Sequence, residues 1–357
     1  MPYSQIINNE NQITVLPEFL MITTVHNKET SEESLSSGIP IDVIASRTSL
    51  PTLVLNKQYM NNSKISRVLS SKHIYIEDKT QQIDIKIKDH IINIVDLWKD
   101  QNIQLSQQIT QFDMAVMDAV YTIANNGYDV ITAEWVVKVL SGNLSQKVTR
   151  QKLEAVRESI DKLRCIHIKI HCESEIKCRK SLNESIDQFV YESYLLPLDK
   201  AIAHYRANGK TVITYPILSK PALYAYAETT HQIIDIPASF LGTQKHFKDT
   251  DEAIIIKRYV LKRIAQMKSS KNNLSSCKIS LLWYDQKHNP KGLYTELGYT
   301  PDVTDKWRTK TKPMITRIVK GTLSYLTEIG YIKGFSAYRQ DGNNNPSSPI
   351  MGYEVIL

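Results

Sequence analysis

The side chains in this chain that could most readily do chemistry together are Cys165, His167, His171, Cys172 and Cys178. Such a set invites tetrahedral zinc coordination. Stretch 165–172 alternates as a strand does, so Cys165, His167, Lys169 and His171 share one face, while Ile166, Ile168, Ile170 and Cys172 share the other. Cys172 therefore points away from the histidines, and the chain contains no C-x-x-C pair. A strand with an Ile-rich core face and a polar outer face explains the same residues, so no metal site is expected. A DNA-nicking enzyme would need a His-apolar-His pair on one strand and a tyrosine nucleophile. Here the two histidines are four apart with Lys169 between them, and 19 tyrosines single out no nucleophile. There is no G-x-x-x-x-G-K-[ST] phosphate loop. The acidic run Glu29–Glu33 lies among Ser and Thr and reads as a solvated loop. No catalytic residue and no cofactor are assigned, and the expectation is a non-enzymatic binder.

Binding chemistry is concentrated later in the chain. Between Lys257 and Lys320 there are fifteen Lys or Arg against four Asp or Glu. The whole chain carries only +7, which leaves about −4 outside that window. Concentrated basicity of this kind is the electrostatic footprint of a nucleic-acid binder. The element that must position it is a helix from Met314 to Gly330. Pro313 suits its first turn, with Thr311 or Lys312 at the cap, and Gly330 suits its end. Ile315, Ile318, Val319, Thr322, Leu326 and Ile329 recur every three or four residues and form a buried stripe. The opposite face carries Arg317, Lys320, Gly321 and Ser324, with Thr316 beside them. Two apolar strands follow, separated by the polar loop Gln340–Pro346. Helix, strand, polar loop and strand make the second half of a winged helix, the loop being its wing.

Chain length of 357 residues allows two or three domains. A hydrophobic content of 42% and a charged content of 23% are those of a globular protein. The start lacks the apolar run of a signal peptide, no segment is long enough to span a bilayer, and four cysteines make no disulfide framework. The expected location is cytoplasmic, at the nucleoid.

Residues 1–105 read as a mixed, β-rich accessory region, with Gln12–Val25 extended and an alternating pair, His73–Glu77 and Gln82–Lys88, across a turn. Residues 106–230 read as a first winged helix. Its helices are expected from Thr110, Ala133 and Thr149, and its strands around Cys165–Cys172 and Phe189–Leu198. The outward face of its third helix holds Gln151, Glu154, Ala155, Glu158 and Lys162, and carboxylates there would repel phosphate. Only Lys147, Arg150 and Lys152, with Arg157 on the flank, suit DNA. Asn208-Gly209 marks a two-residue hairpin between Ala203–Arg206 and Lys210–Leu218. Residues 231–357 read as the second, main DNA-binding winged helix. It opens with a helix over about Thr250–Lys268, whose Lys257, Arg258, Lys262 and Arg263 are expected to be solvated or to contact a DNA backbone. Two more helices are expected over Ser276–Gln286 and Pro290–Gly298. The fold class is thus α+β: two tandem winged helices joined by a hairpin-rich segment, after the β-rich N-terminal region.

Over residues 106–357 this arrangement resembles the iteron-binding replication initiators of theta-replicating plasmids and related phage or mobile elements. The resemblance is carried by topology and by Phe112–Gly127, Tyr194-Leu195-Leu196-Pro197-Leu198 and Gly330-Tyr331-Ile332-Lys333-Gly334. It implies binding to direct repeats of double-stranded DNA at an origin, opening of adjacent AT-rich DNA, and recruitment of a host initiator and replicative helicase. It also implies a homodimer through the first winged helix, and no membrane partner. Carried over, Thr316, Arg317, Lys320 and Ser324 enter a major groove, and Arg308, Lys310 and Lys312 hold phosphates at the helix start. Arg339 with Asn343, Asn344 and Asn345 forms the wing contact. A dimeric winged-helix transcriptional repressor and an interaction protein that does not bind DNA are the alternatives.

Overall fold

A computed structural model describes residues 5–7, 13–15, 53–63, 66, 69–70, 82–87, 90–96, 109–171, 190–204, 206, 209, 211–229, 231–269, 274–283, 292–299, 304, 306–340 and 348–357. The fold is mixed α+β, with helices packed among small antiparallel sheets. Strands β1 (Gln5–Ile7) and β2 (Ile13–Val15) pair with each other. The expected strand His73–Glu77 lies outside the described residues. Its expected partner, β4 (Gln82–Ile87), pairs with β5 (His90–Asp96).

Helix α1 (Gln111–Asn125) starts at Thr110, whose hydroxyl accepts from Asp113 N while the Asp113 carboxylate accepts from Thr110 N, closing a capping box. Every residue from Asp113 to Ile123 is buried, including two aspartates, so α1 is a central helix and not a surface one. Short β6 (Val130–Ile131) leads to α2 (Ala133–Ser141), capped by Thr132 and ended by Gly142 at φ 70°. Helix α3 (Arg150–Leu163), capped by Thr149, buries Val156, Ile160 and Leu163 as its spacing predicts. Strands β7 (Ile166–His171) and β8 (Val190–Tyr194) then complete a four-stranded sheet in the order β4-β5-β7-β8.

The expected hairpin pairs β9 (Ala201–His204) with β10 (Thr211–Pro216), in register from Ala201–Thr214 to His204–Thr211, and Asn208 of its turn lies outside the described residues. β6 joins β10 on its other edge, and so belongs to this sheet and not to that of β7 and β8. Helix α4 (Ala222–Thr229) and β11 (Ile233–Pro237) follow, and β11 pairs with β3 (Lys57–Asn61). β3 also lies on α1, where Thr122 Oγ1 accepts from Tyr59 N at 3.0 Å and Asp118 Oδ1 from Asn61 N at 2.8 Å. Helix side chains thus satisfy the strand donors that β11 leaves open. Leu53, Leu55 and Leu69 sit in the same core as α1 to α4.

The last third begins with α5 (Asp251–Lys268), capped by Thr250. The helix expected over Ser276–Gln286 is instead strand β12 (Ser276–Ser280), where Cys277 and Ile279 point inward and alternate with polar neighbours. Helix α6 (Leu293–Glu296) is one turn long. A π turn over Trp307–Thr311 runs directly into α7 (Lys312–Glu328), so helical backbone starts before Pro313, and the hydroxyl at its start is that of Thr304, which accepts from Trp307 N at 3.2 Å, in place of the expected cap at Thr311 or Lys312. The wide turn lies where proline lacks an N–H and its ring crowds the preceding carbonyls. Gly330 has φ 72°, as the expected stop requires. β13 (Gly334–Arg339) and β14 (Ile350–Ile356) complete a sheet in the order β12-β14-β13. A second core, around Val260, Ile264, Ile315, Val319, Leu323 and Val355, fills the space between α5, α7 and this sheet.

Candidate nucleic-acid interface

Helix α7 turns Ile315, Ile318, Val319, Thr322, Leu323 and Leu326 inward. Ile329, counted in that stripe from its spacing, lies just past the helix end and is 38% exposed. On the other side Arg317 and Lys320 are exposed, with Thr316 and Ser324 half-buried beside them. Neither cation makes an ion pair among the described residues. Thr316 donates to Lys312 O at 2.9 Å, so its hydroxyl is turned back onto the helix.

Arg308 and Lys310 are exposed on the π turn, and Lys312 is half-buried one turn later. Trp307 sets their position. It is buried against Trp283, Tyr294 and Tyr299 at ring-centroid distances of 5.7, 4.8 and 4.6 Å. Trp283 is itself held by a 3.0 Å hydrogen bond from Nε1 to Tyr299 O. This aromatic box fixes the entry to the helix, and the cations project from a rigid support.

Gly321 is not part of the open face. A Cβ there would lie 2.8 Å from Phe247 Cδ1, so the missing side chain makes room for that ring. His246 Nε2 lies 3.2 Å from Glu328 Oε2, and the Tyr325 hydroxyl donates to Ser239 O at 2.7 Å. Segment 239–248 is therefore strapped along one flank of α7. It brings exposed Lys245 and Lys248 to the border of the Arg317–Lys320 face. Both lysines lie outside the basic window counted along the sequence. Only the Lys-His-Phe-Lys pattern, an aromatic anchor between cations, hints at them.

Several expected contacts face elsewhere. Lys257 is fully buried, with its ammonium 2.8 Å from Leu241 O and 2.6 Å from Asp249 Oδ1. Burial pulls its amine below the usual lysine value, and Asp249 opposes that shift. Arg258 is also buried and binds Asp118 of α1. Lys262 reaches Asn61 O at 2.7 Å and Asp118 Oδ2 at 3.5 Å. These three cations hold the interior together instead of facing solvent, so the surplus over 257–320 overstates the outward charge. The carboxylate that Arg258 meets lies 140 residues away, and a count along the chain cannot see it.

At the end of β13, Arg339 is half-buried and its Nη1 donates to Ser348 O. Asn343 and Asn344 lie outside the described residues. In the first unit Lys147 is exposed, and exposed Arg150 pairs with Glu154 at 2.6 Å. Lys152 is half-buried near the start of α5. There burial and then Glu252 raise the Asp251 carboxyl, and Lys152 acts against them. Lys162, expected outward, is turned in against Asp113. Glu154 and Glu158 remain exposed. Of the cysteine and histidine cluster, Cys172 and Cys178 lie outside the described residues. Among those described, no group of three or more His, Cys, Asp or Glu is arranged to hold a metal. No described helix is long and apolar enough to cross a membrane.

No protein-family model matches the sequence, and no curated protein matches it. Among solved structures the chain is similar to domains 2 and 3 of RctB. One match, a selenomethionine derivative, has 13% identity and a TM-score of 0.39, and a second has 12% and 0.38. Each covers 82% of this chain and 95% of the other.

Proposed function

We propose that this chain is a sequence-specific, double-stranded DNA-binding replication initiator of a plasmid or mobile element, which binds origin repeats and promotes helicase loading. The observation that carries the reading is the outward face of α7. Arg317 and Lys320 stand exposed without ion-pair partners among the described residues, whereas Lys257 and Arg258 on α5 are buried in pairs. Cations left uncompensated on one helix are what a phosphate backbone and guanine edges require. The succession α5, β12, α6, α7, β13, β14, with sheet order β12-β14-β13, supports a winged helix in the second unit. In that arrangement α7 is the helix offered to the major groove. The first unit departs from the pattern in its β6 pairing and keeps carboxylates on α3, so it is assigned to self-association and limited phosphate contact.

Selection of bound duplexes from random sequence, at two salt concentrations, tests this reading. The expected result is a preferred site recurring as direct repeats, with log affinity falling steeply against log salt. Salt-insensitive binding, or no enrichment, would overturn it, and an inverted-repeat site would identify the repressor alternative. In the same assay, Arg317→Ala with Lys320→Ala should weaken duplex binding by about 1–3 kcal/mol for each of the two side chains truncated. An unchanged gel-shift titration would remove α7 as the recognition element.

A further inference from the structure

Beyond the DNA face, the protein has a cleft where α1 and α5 meet, lined on its polar side by Gln111, Asp118, Arg258, Lys262, Arg263 and Glu296. Its volume is about 60 Å³. One water needs about 10–15 Å³, so the space takes a group of about four to six heavy atoms.

Arg258 gives the cleft its chemistry. The guanidinium is 4% exposed and engages Asp118 Oδ2 side-on, through Nε and Nη2. Nη1 is buried and has no acceptor among the described residues. A buried N–H without a partner costs free energy on the order of 1–3 kcal/mol, more when charged, so the site is incomplete without an acceptor. Beside it Lys262 has used its donors on Asn61 O and Asp118, which leaves one of three. Arg263 makes no ion pair among the described residues. Formal charge at the cleft is three cations against the two carboxylates Asp118 and Glu296. Asp118 is fully buried, which disfavours its ionisation. Lys262, Arg258, the Asn61 N–H and the Tyr224 hydroxyl outweigh that and hold its carboxyl below the usual range, so it stays an acceptor and offers the ligand no proton.

We propose that this cleft binds a phosphate group, either as the free ion or as the terminal group of a nucleotide, with Arg258 Nη1, Lys262 Nζ and the Arg263 guanidinium as its donors. A tetrahedral oxyanion has the size of the space, and it supplies the acceptor that Arg258 Nη1 lacks. The assignment stands apart from the DNA reading, since Arg317 and Lys320 are not among the lining residues.

The test is thermal unfolding of the full chain in potassium phosphate against potassium chloride at matched ionic strength and pH, with adenosine monophosphate as a second arm. A saturable rise in Tm with phosphate beyond that with chloride is expected. Protection by both ligands identifies a site open to nucleotides, and protection by the inorganic ion alone identifies a closed one. Arg263→Gln should weaken phosphate at least tenfold. Gln266→Glu, which places a carboxylate on the wall of the same cleft, should do the same if the first variant folds poorly. Arg317→Ala with Lys320→Ala should leave the shift intact. Equal shifts in phosphate and chloride would overturn the proposal. So would a shift lost in the α7 pair but kept in both cleft variants.

Discussion

Asp118 accepts from Arg258, Lys262, Asn61 N and the Tyr224 hydroxyl, and so joins α1, β3, α4 and α5 at one point. Removing its charge while keeping its shape leaves two buried cations uncompensated. Asp118→Asn is expected to cost about 3–5 kcal/mol, the range for breaking a buried pair from one side, measured by urea unfolding. The pH dependence has a definite sign. The native carboxyl titrates below its ordinary value near 3.8, so its contribution is fully present above about pH 4. It is lost as pH falls through the lowered native value, where the unfolded chain already holds the proton. The wild-type stability curve should fall on that acid side, and the variant's curve should be flatter there. None of this is legible from Asp118 in sequence. It sits between Met117 and Ala119 on a helix whose apolar stripe is plain, and its partners lie from 57 residues away, at Asn61, to 140 at Arg258 and beyond at Lys262.

At the scale of elements, local chemistry and partnership divide the outcome. Thr110, Thr132, Thr149 and Thr250 cap helices because each hydroxyl accepts from an N–H three residues on, an interaction contained within one turn. Such starts are legible in the sequence. The segment from Ser276 is not, even though Ser-Cys-Lys-Ile-Ser alternates, because five residues are too few to separate strand from helix without the paired β14. The flank of α7 is a second case. Gly321 reads as a small residue for close approach, and it does permit one, but the ring it admits is Phe247. The strap carries Lys245 and Lys248 to the edge of the proposed DNA face. Lys245→Ala with Lys248→Ala is expected to weaken duplex binding equally across sequences and to lower the salt slope by about 2, one for each phosphate contact. A change in sequence preference with no change in slope would show that these lysines read bases instead.

Across the whole molecule, the two cores are joined by charge and by close packing. Arg258 pairs with Asp118, and Gln244 Nε2 donates to Ser141 O at 2.6 Å. Gly142 closes against the turn at Leu241, where a Cβ would come within 2.6 Å. With the joint buried, the units should unfold as one, and the calorimetric and van't Hoff enthalpies should agree. Hydrogen exchange of α1 and α7 amides would then report one free energy, and two separate values would show independent units. What the sequence by itself determined is what short-range forces control: helix caps, the inward stripes of α3 and α7, the hairpin, and the placement of Arg317 and Lys320 opposite an apolar face. Tertiary structure alone decided which cations face out. A Lys or Arg has the same charge wherever it lies in the chain, but a carboxylate brought beside it by folding decides whether it is consumed in the interior or left for a partner. That is why Lys257, Arg258 and Lys262 belong to the joint, and Arg317 and Lys320 to the surface.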